Sequence, residues 1–367
     1  MINYKNIIFD EFDSDLWHTL KNSKLPILVY GMGNGADKII SVFEKYQITY
    51  SDVFASDGFV RGHSYKGKRV LSYSEACQKY PLGFDVVVSF GSKLPDVIER
   101  IYSLEKSHNV YSPDVEVCGY ELFNEEYFNL HEKELYLARE CFEDEISKSV
   151  FDDIIRYKLT GKLKYLKSTA FSEDECDKIL NCNSYTSYLD LGAYNGDTVK
   201  KYLGLCPNLK RISAFEPDKR NFKKLVAFCE QINDVEISPL NCAVYSSDTT
   251  LSFSSSGNRN STAIANGSFE HKTTLVDAKA PDSVLESVDF IKYDVEGLEY
   301  EALLGSKRLI NDSQPDLLVS MYHKCEDMFK LPLLVKELNP NYALYLRRLP
   351  YIPAWDLNLY AIKKAIV

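Results

Sequence analysis

The chain lacks any C-x-x-C pair, although it carries nine cysteines (Cys77, Cys118, Cys141, Cys176, Cys182, Cys206, Cys229, Cys242 and Cys325). Zinc sites are commonly built on such pairs, so no zinc centre is expected, and the odd count suits buried thiols in a reducing compartment. Basic residues are also in deficit: 43 Lys and Arg face 53 Asp and Glu, a net charge of −10. Binding a phosphate backbone relies on clustered cations that release counterions, which argues against nucleic acid as a partner. Long apolar runs are absent, and residues 1–24 are interrupted throughout by Asp, Glu and Lys. Neither a secretory leader nor a membrane span is expected, and the reading is of a cytoplasmic protein. There are no internal repeats and no low-complexity tracts.

What the chain does have is length and apolar content. Its 367 residues, 45% of them hydrophobic, are enough to bury two separate cores. Near the N-terminus the apolar run Leu25–Tyr30 ends at Gly31, and a helical pattern follows from Ala36 to Tyr46. Two further apolar runs, Ser51–Ser56 and Phe84–Phe90, complete a small Rossmann-like α/β domain over residues 1–122. Apolar positions at helical spacing (Leu135, Phe142, Ile146, Val150, Ile154, Ile155) make residues 123–170 a helical connector interrupted by glycine only at Gly161. Ser172 with Glu175 forms a capping-box signature that opens the second domain, residues 171–367.

In that second domain strands alternate with amphipathic helices: Tyr185–Leu191, Arg211–Glu216, Val235–Val244, Phe290–Val295 and Leu317–Tyr322, then Tyr342–Leu346 and Leu357–Ile362. The alternation predicts a mostly parallel sheet. The last two strands have no helix between them, so the final one is expected antiparallel, at or near the edge.

The chemistry concentrates on the run from Tyr188 to Thr198, where a strand ending in Asp190 passes into a tight turn bracketed by Gly192 and Gly196. Glycine lets backbone approach a ligand that any Cβ would strike, and a following helix N-terminus offers free amides to a carboxylate. Asp190 is expected to accept from a ligand ammonium, with Ala193, Tyr194, Asn195 and Thr198 lining the turn. The next strand ends in Glu216-Pro217, an acid placed to hold ribose hydroxyls outside the strand ends. After the third strand, Asn241-Cys242-Ala243 supplies a short polar group and small neighbours suited to an adenine edge.

These residues resemble the FkbM-type methyltransferases, through Asp190-Leu-Gly-Ala-Tyr-Asn-Gly-Asp197, Phe215-Glu-Pro217, Ile291-Lys-Tyr-Asp-Val-Glu-Gly-Leu-Glu299 and Tyr322-His-Lys324, over about residues 185–362. The resemblance implies S-adenosylmethionine as cofactor, a seven-stranded class I methyltransferase sheet, and O-methylation, often of sugars. Tyr194, where the family commonly has asparagine, and Tyr293, where an aliphatic residue is usual, depart from the pattern without removing a charge.

Methyl transfer is an in-line displacement, so the protein must align the acceptor and take its proton. Asp294 and Glu296 stand two residues apart at a strand end and share a side if the extended backbone continues. Asp294 is then expected to face the sulfonium or the acceptor, with Glu296 as the base or, alternatively, as the cap of a helix beginning near Leu298. His323, with an ordinary pKa near 6.5, reads equally as a proton carrier or a structural side chain. The carboxylates also suit a magnesium ion. Asn260-Ser261-Thr262 lies in a polar insertion that reads as a lid or an ordinary loop.

In the N-terminal domain Gly31, Gly33, Gly35 and Ala36 fit a G-x-G-x-x-A dinucleotide fingerprint, with Asp57 ending the next strand at ribose-acid distance and Arg61 and Lys68 nearby as cations. A nucleotide-sugar or another phosphate ligand, or a structural or oligomerising role, is the expectation there. The full reading is an S-adenosylmethionine-dependent O-methyltransferase acting on a sugar hydroxyl of a glycan or nucleotide-sugar in bacterial polysaccharide biosynthesis, with homo-oligomers allowed. The alternatives are an NAD-dependent oxidoreductase and a non-catalytic nucleotide-binding scaffold.

Overall fold

The computed structural model describes residues 3–60, 62–119, 121–254, 262–263 and 273–364. Two separate sheets organise it. The first contains β1 (Ile27–Tyr30), β2 (Asp52–Ala55), β3 (Leu71–Ser72), β4 (Asp85–Val88) and β5 (Asn109–Tyr111), in the order β3-β2-β1-β4-β5 and parallel throughout. Strands β1, β2 and β4 are buried at every position, which is why they read as continuous apolar runs without alternation.

The second sheet is built from β6 (Ser187–Leu191), β7 (Arg211–Phe215), β8 (Glu236–Leu240), β9 (Phe290–Tyr293), β10 (Asp316–Ser320), β11 (Tyr342–Arg348) and β12 (Leu357–Lys363). Its order is β8-β7-β6-β9-β10-β12-β11. Strands β6 to β10 are parallel, whereas β12 pairs antiparallel with both β10 and β11. The final strand therefore inserts one place inside the edge, and β11 takes the edge itself. Strand order reverses between β6 and β9, and this switch point is where crossovers leave in opposite directions and open a crevice.

Tyr188 and Phe290 stack at 5.0 Å near the starts of β6 and β9, and Tyr185 stacks on Phe290 at 5.1 Å. Each such pair adds about 0.5–1.5 kcal/mol beyond its buried area, which ties the two central strands together. The third predicted strand, Val235–Val244, divides. Its second piece, Ala243–Val244, joins a small sheet with Thr249–Ser254, Thr262–Ala263 and Thr273–Lys279. Of the lid expected at Asn260-Ser261-Thr262, the first two residues lie outside the described residues.

Between the sheets run three helices, Glu125–Glu140, Glu145–Thr160 and Leu163–Ser168. The chain first kinks at His131, inside the first of these helices, and breaks at Cys141–Asp144 without a glycine, where the Asp144 side chain caps the second helix by accepting from the Ser147 amide at 2.7 Å. Ser172 and Glu175 form the capping box expected of them. Among the described residues no helix is long and apolar enough to cross a membrane.

The segment after β5 runs along the loop that follows β10. Glu116 accepts from the Cys325 amide at 2.7 Å, and the Cys118 amide donates to the His323 carbonyl at 3.1 Å. The loop after β4 also crosses over, since Ser92 and Ile352 exchange two backbone hydrogen bonds of 2.8 and 3.1 Å. Gly91 lies against Trp355, and a Cβ there would come within 2.6 Å of the indole.

Candidate active site

A cleft of about 260 Å³ opens at the switch point, outside the carboxyl ends of β6, β7 and β9. Gly192, Tyr194, Thr198, Glu216, Pro217, Cys242, Ala243, Asp294 and Glu296 all line it. Ala193 is fully buried and, like Asn195, Gly196 and Asn241, is not among the lining residues. Asn241 instead donates to the carbonyls of Glu216 at 2.8 Å and Pro217 at 3.2 Å, tying the strand end beside the cleft.

Gly192 is glycine for a packing reason that the sequence leaves unseen. Its φ is +86°, and a Cβ would sit 1.9 Å from the Asp294 carbonyl oxygen, so the turn after β6 closes directly onto the end of β9. Gly196, at φ +89°, faces the Phe228 ring at 2.6 Å from the same hypothetical atom. Tyr194 adopts φ +48° without being glycine, and so does Glu296 at φ +52°. Left-handed backbone costs a bulky residue about 1–2 kcal/mol, and such strain gathers at functional sites.

Asp190 is completely buried and does not reach the cleft. In place of a ligand ammonium it takes the Thr198 hydroxyl at 2.5 Å and Lys292 Nζ at 3.2 Å. The parallel register sets Lys292 directly opposite Asp190, and the same ammonium donates to the Gly192 carbonyl at 3.2 Å and lies 3.7 Å from Asp294 Oδ2. Burial opposes the Lys292 charge, but Asp190 and Asp294 outweigh it and hold the pKa above its ordinary value.

Glu216, at the end of β7, is buried and accepts from the amides of Tyr194 and Asp218, each at 2.8 Å. Burial pushes its carboxyl up to about 7 in spite of those two amides.

Strand β9 stops at Tyr293, so the extended backbone expected to align Asp294 with Glu296 does not continue. Both carboxylates nonetheless come to one side chain, His323, with Glu296 and Gly297 in left-handed backbone. His323 Nε2 lies 3.6 Å from Asp294 Oδ1 and 3.5 Å from Glu296 Oε2, while its Nδ1 lies 2.9 Å from Glu299 Oε1. That last contact is electrostatic, since Nδ1 has no well-aligned hydrogen bond. His323 is 1% exposed; burial works against its charge, but Glu299, Glu296 and Asp294 raise its pKa to about 10. At neutral pH it is an imidazolium, not the freely titrating group that its ordinary pKa suggested.

Glu296 is pushed up to about 7, chiefly by burial, with His323 pulling the other way and Asp294 adding to the rise. Burial alone would raise Asp294 as well, but Lys292 and His323 hold it below the usual carboxylate value. Glu296 does not cap the next helix. Glu299 does the local bonding, accepting from the Val295 amide at 2.9 Å. Tyr322 donates to Asp294 Oδ1 at 3.3 Å from the rim of the cleft. Asp294, Glu299 and His323 each offer one atom within 4.8 Å of the others, a set that fits a metal ion as well as an ion-pair cluster. Lys292 and Glu299 stood inside the quoted motif without roles; their place on the strand and in its turn was the available signal.

The N-terminal fingerprint has a different outcome. Gly31 (φ +106°) packs on Phe90 and Gly35 on the Ser89 carbonyl, both closer than a Cβ permits, whereas Gly33 (φ +116°) has open space. Asp57 is occupied by the Ser74 amide and hydroxyl at 3.0 and 2.8 Å, and Lys68 by the Ser51 carbonyl at 2.9 Å. Arg61 lies outside the described residues.

Residues 190–352 match the family described as Methyltransferase FkbM domain. The structure of methyltransferase FkbM from Methylobacillus flagellatus superposes with a TM-score of 0.67 at 16% identity, covering 99% of this chain and 94% of that one, so the fold is shared across both sheets. Fibrillarin from Aeropyrum pernix, solved with natively bound S-adenosyl-L-methionine, gives a TM-score of 0.33 at 13% identity over 50% of this chain and 69% of that one. A precorrin-6y methyltransferase from Geobacter metallireducens gives 0.34 at 10% identity over 53% and 90%. No curated protein matches this chain.

Proposed function

The chain carries an FkbM methyltransferase domain at residues 190–352, and from that premise we propose that it is an S-adenosylmethionine-dependent O-methyltransferase acting on a sugar hydroxyl of a glycan or nucleotide-sugar. One observation carries the reading. The cleft at the switch point joins a glycine turn, a buried acid at the end of β7 and an acid pair at the end of β9. The residues fit an adenosyl sulfonium: Glu216 offers carboxylate oxygens for ribose hydroxyls, the small Cys242 and Ala243 leave room for a flat base, and Asp294 faces the cleft as a counter-charge. When bound, that cofactor supplies an electrophilic methyl group.

This chain's own residues supply the rest. Asp294, held ionised by Lys292 and His323, orients the acceptor hydroxyl. Glu296, with a carboxyl near neutrality, takes the hydroxyl proton as the oxygen attacks. His323 is a positioning residue: as an imidazolium between the two carboxylates it fixes their rotamers and keeps Glu296 from rising further. Asp190 acts at one remove, by anchoring Lys292 and Thr198.

Calorimetry with S-adenosylmethionine and NAD, on wild type and Glu216→Gln, tests the cofactor assignment. Heat is expected for the sulfonium alone, weakened about tenfold or more by the substitution, because an amide replaces one of the two buried carboxyl oxygens that accept from the ribose hydroxyls. Heat for NAD and none for S-adenosylmethionine overturns it.

A further inference from the structure

Lys93 lines the catalytic cleft, yet it belongs to the other domain, on the loop after β4. Its backbone position is fixed from two sides. Ser92, its neighbour, is bonded twice to Ile352, and Gly91 lies under the Trp355 ring where no side chain fits. The Lys93 side chain itself is exposed and takes no hydrogen bond or salt bridge among the described residues. The remaining charged lining is acidic, including Asp197, Glu216, Asp218, Asp294 and Glu296, apart from Lys292, which is buried against Asp190.

An acid-lined cleft draws in a sulfonium but repels an anionic acceptor, so such an acceptor needs a counter-charge at the mouth. We propose that Lys93 is the acceptor-recognition residue delivered across the domain interface, and that the acceptor sugar carries an oxyanion, either a carboxylate or a phosphoryl group, that pairs with it. This rests on the methyltransferase reading above. It gives the N-terminal domain a part in substrate choice through the loop after β4, with no ligand needed at its glycine turn.

The test uses the full chain and three acceptors: glucuronate, UDP-glucose and, as neutral control, methyl glucoside. Methyl transfer and direct binding are measured for wild type, Lys93→Ala, Lys93→Arg and Lys93→Glu. At least one anionic acceptor is expected to be preferred over methyl glucoside by wild type. Lys93→Ala should raise its KM about tenfold with kcat little changed, Lys93→Arg should restore it, and Lys93→Glu should abolish the preference. Whether glucuronate or UDP-glucose responds identifies the oxyanion. Equal handling of all three acceptors by wild type, binding of neither anion, or an anionic preference that survives Lys93→Glu overturns the proposal. Titration of wild type with S-adenosylmethionine alone is scored separately, so failure of the cofactor reading is distinguished from failure of this one.

Discussion

Glu296 Oε2 and His323 Nε2 lie 3.5 Å apart, a carboxylate raised to about 7 beside an imidazolium raised to about 10. The pair assigns the roles: the group that changes charge near neutrality is the glutamate, and the group that keeps its charge is the histidine. A base must be ionised to accept a proton, so kcat/KM should rise with pH through an acidic limb centred near about 7 and level off above it. Glu296→Gln should lower kcat by about a hundred- to ten-thousand-fold, with S-adenosylmethionine affinity retained. Unchanged turnover in that variant removes Glu296 from the mechanism.

His323→Gln separates positioning from chemistry. Its imidazolium lowers the Glu296 pKa, so its removal should move the acidic limb of the kcat/KM profile to higher pH as well as reducing the plateau. A profile that keeps its midpoint while losing amplitude contradicts the electrostatic role.

Much of this site was legible because strand ends and glycine turns are local features. The terminal acids of β7 and β9 and the turn at Gly192 each follow from a short stretch of chain. What escaped was long-range. Asp190 reads as a ligand contact until the register sets Lys292 opposite it, and the packing of Gly192 against the Asp294 carbonyl, on a residue that also lines the cleft, is invisible in the local sequence. His323 reads as a neutral-pH titrator because nothing local announces Glu299 on its far side. The break at Cys141–Asp144 escaped because it is made by an aspartate cap instead of a glycine.

Gly192→Ala follows from that packing. With φ at +86° and backbone carbonyl 1.9 Å from the new Cβ, neither side can yield cheaply. The variant should melt several degrees lower or fail to fold, in circular dichroism as well as in ligand binding. A folded Gly192→Ala of wild-type Tm, defective only in cofactor binding, contradicts the packing account.

Stability should fall as pH rises above the ordinary carboxylate range. Glu216 and Glu296 hold protons in the folded state up to about 7, whereas the unfolded chain releases them near 4.5, so their contribution declines across that window. His323 adds in the same direction: its folded pKa of about 10 exceeds the ordinary 6.5, so its contribution is complete below 6.5 and is lost towards 10. Melting at constant ionic strength should give a Tm several degrees higher at pH 5 than at pH 9. A Tm that climbs over that range contradicts these protonation states.

Lys158 and Asp114 form a buried pair at 2.6 Å, their side chains 3% and 8% exposed, between the helix Glu145–Thr160 and the segment that follows β5. Burial disfavours the lysine charge, and Asp114 more than restores it. Removing one partner strands the other charge, which costs about 3–5 kcal/mol, whereas replacing both with apolar residues of similar volume is often neutral. Lys158→Met should therefore lower Tm markedly, and Lys158→Met with Asp114→Leu should recover most of it. The same segment carries Cys118, whose amide bonds to the His323 carbonyl, so the single variant should also lose turnover beyond its loss of folded protein. If the double variant melts no higher than the single one, the pair contributes specific packing that apolar side chains do not replace. If the single variant melts like wild type, the pair does not hold that helix against the segment after β5.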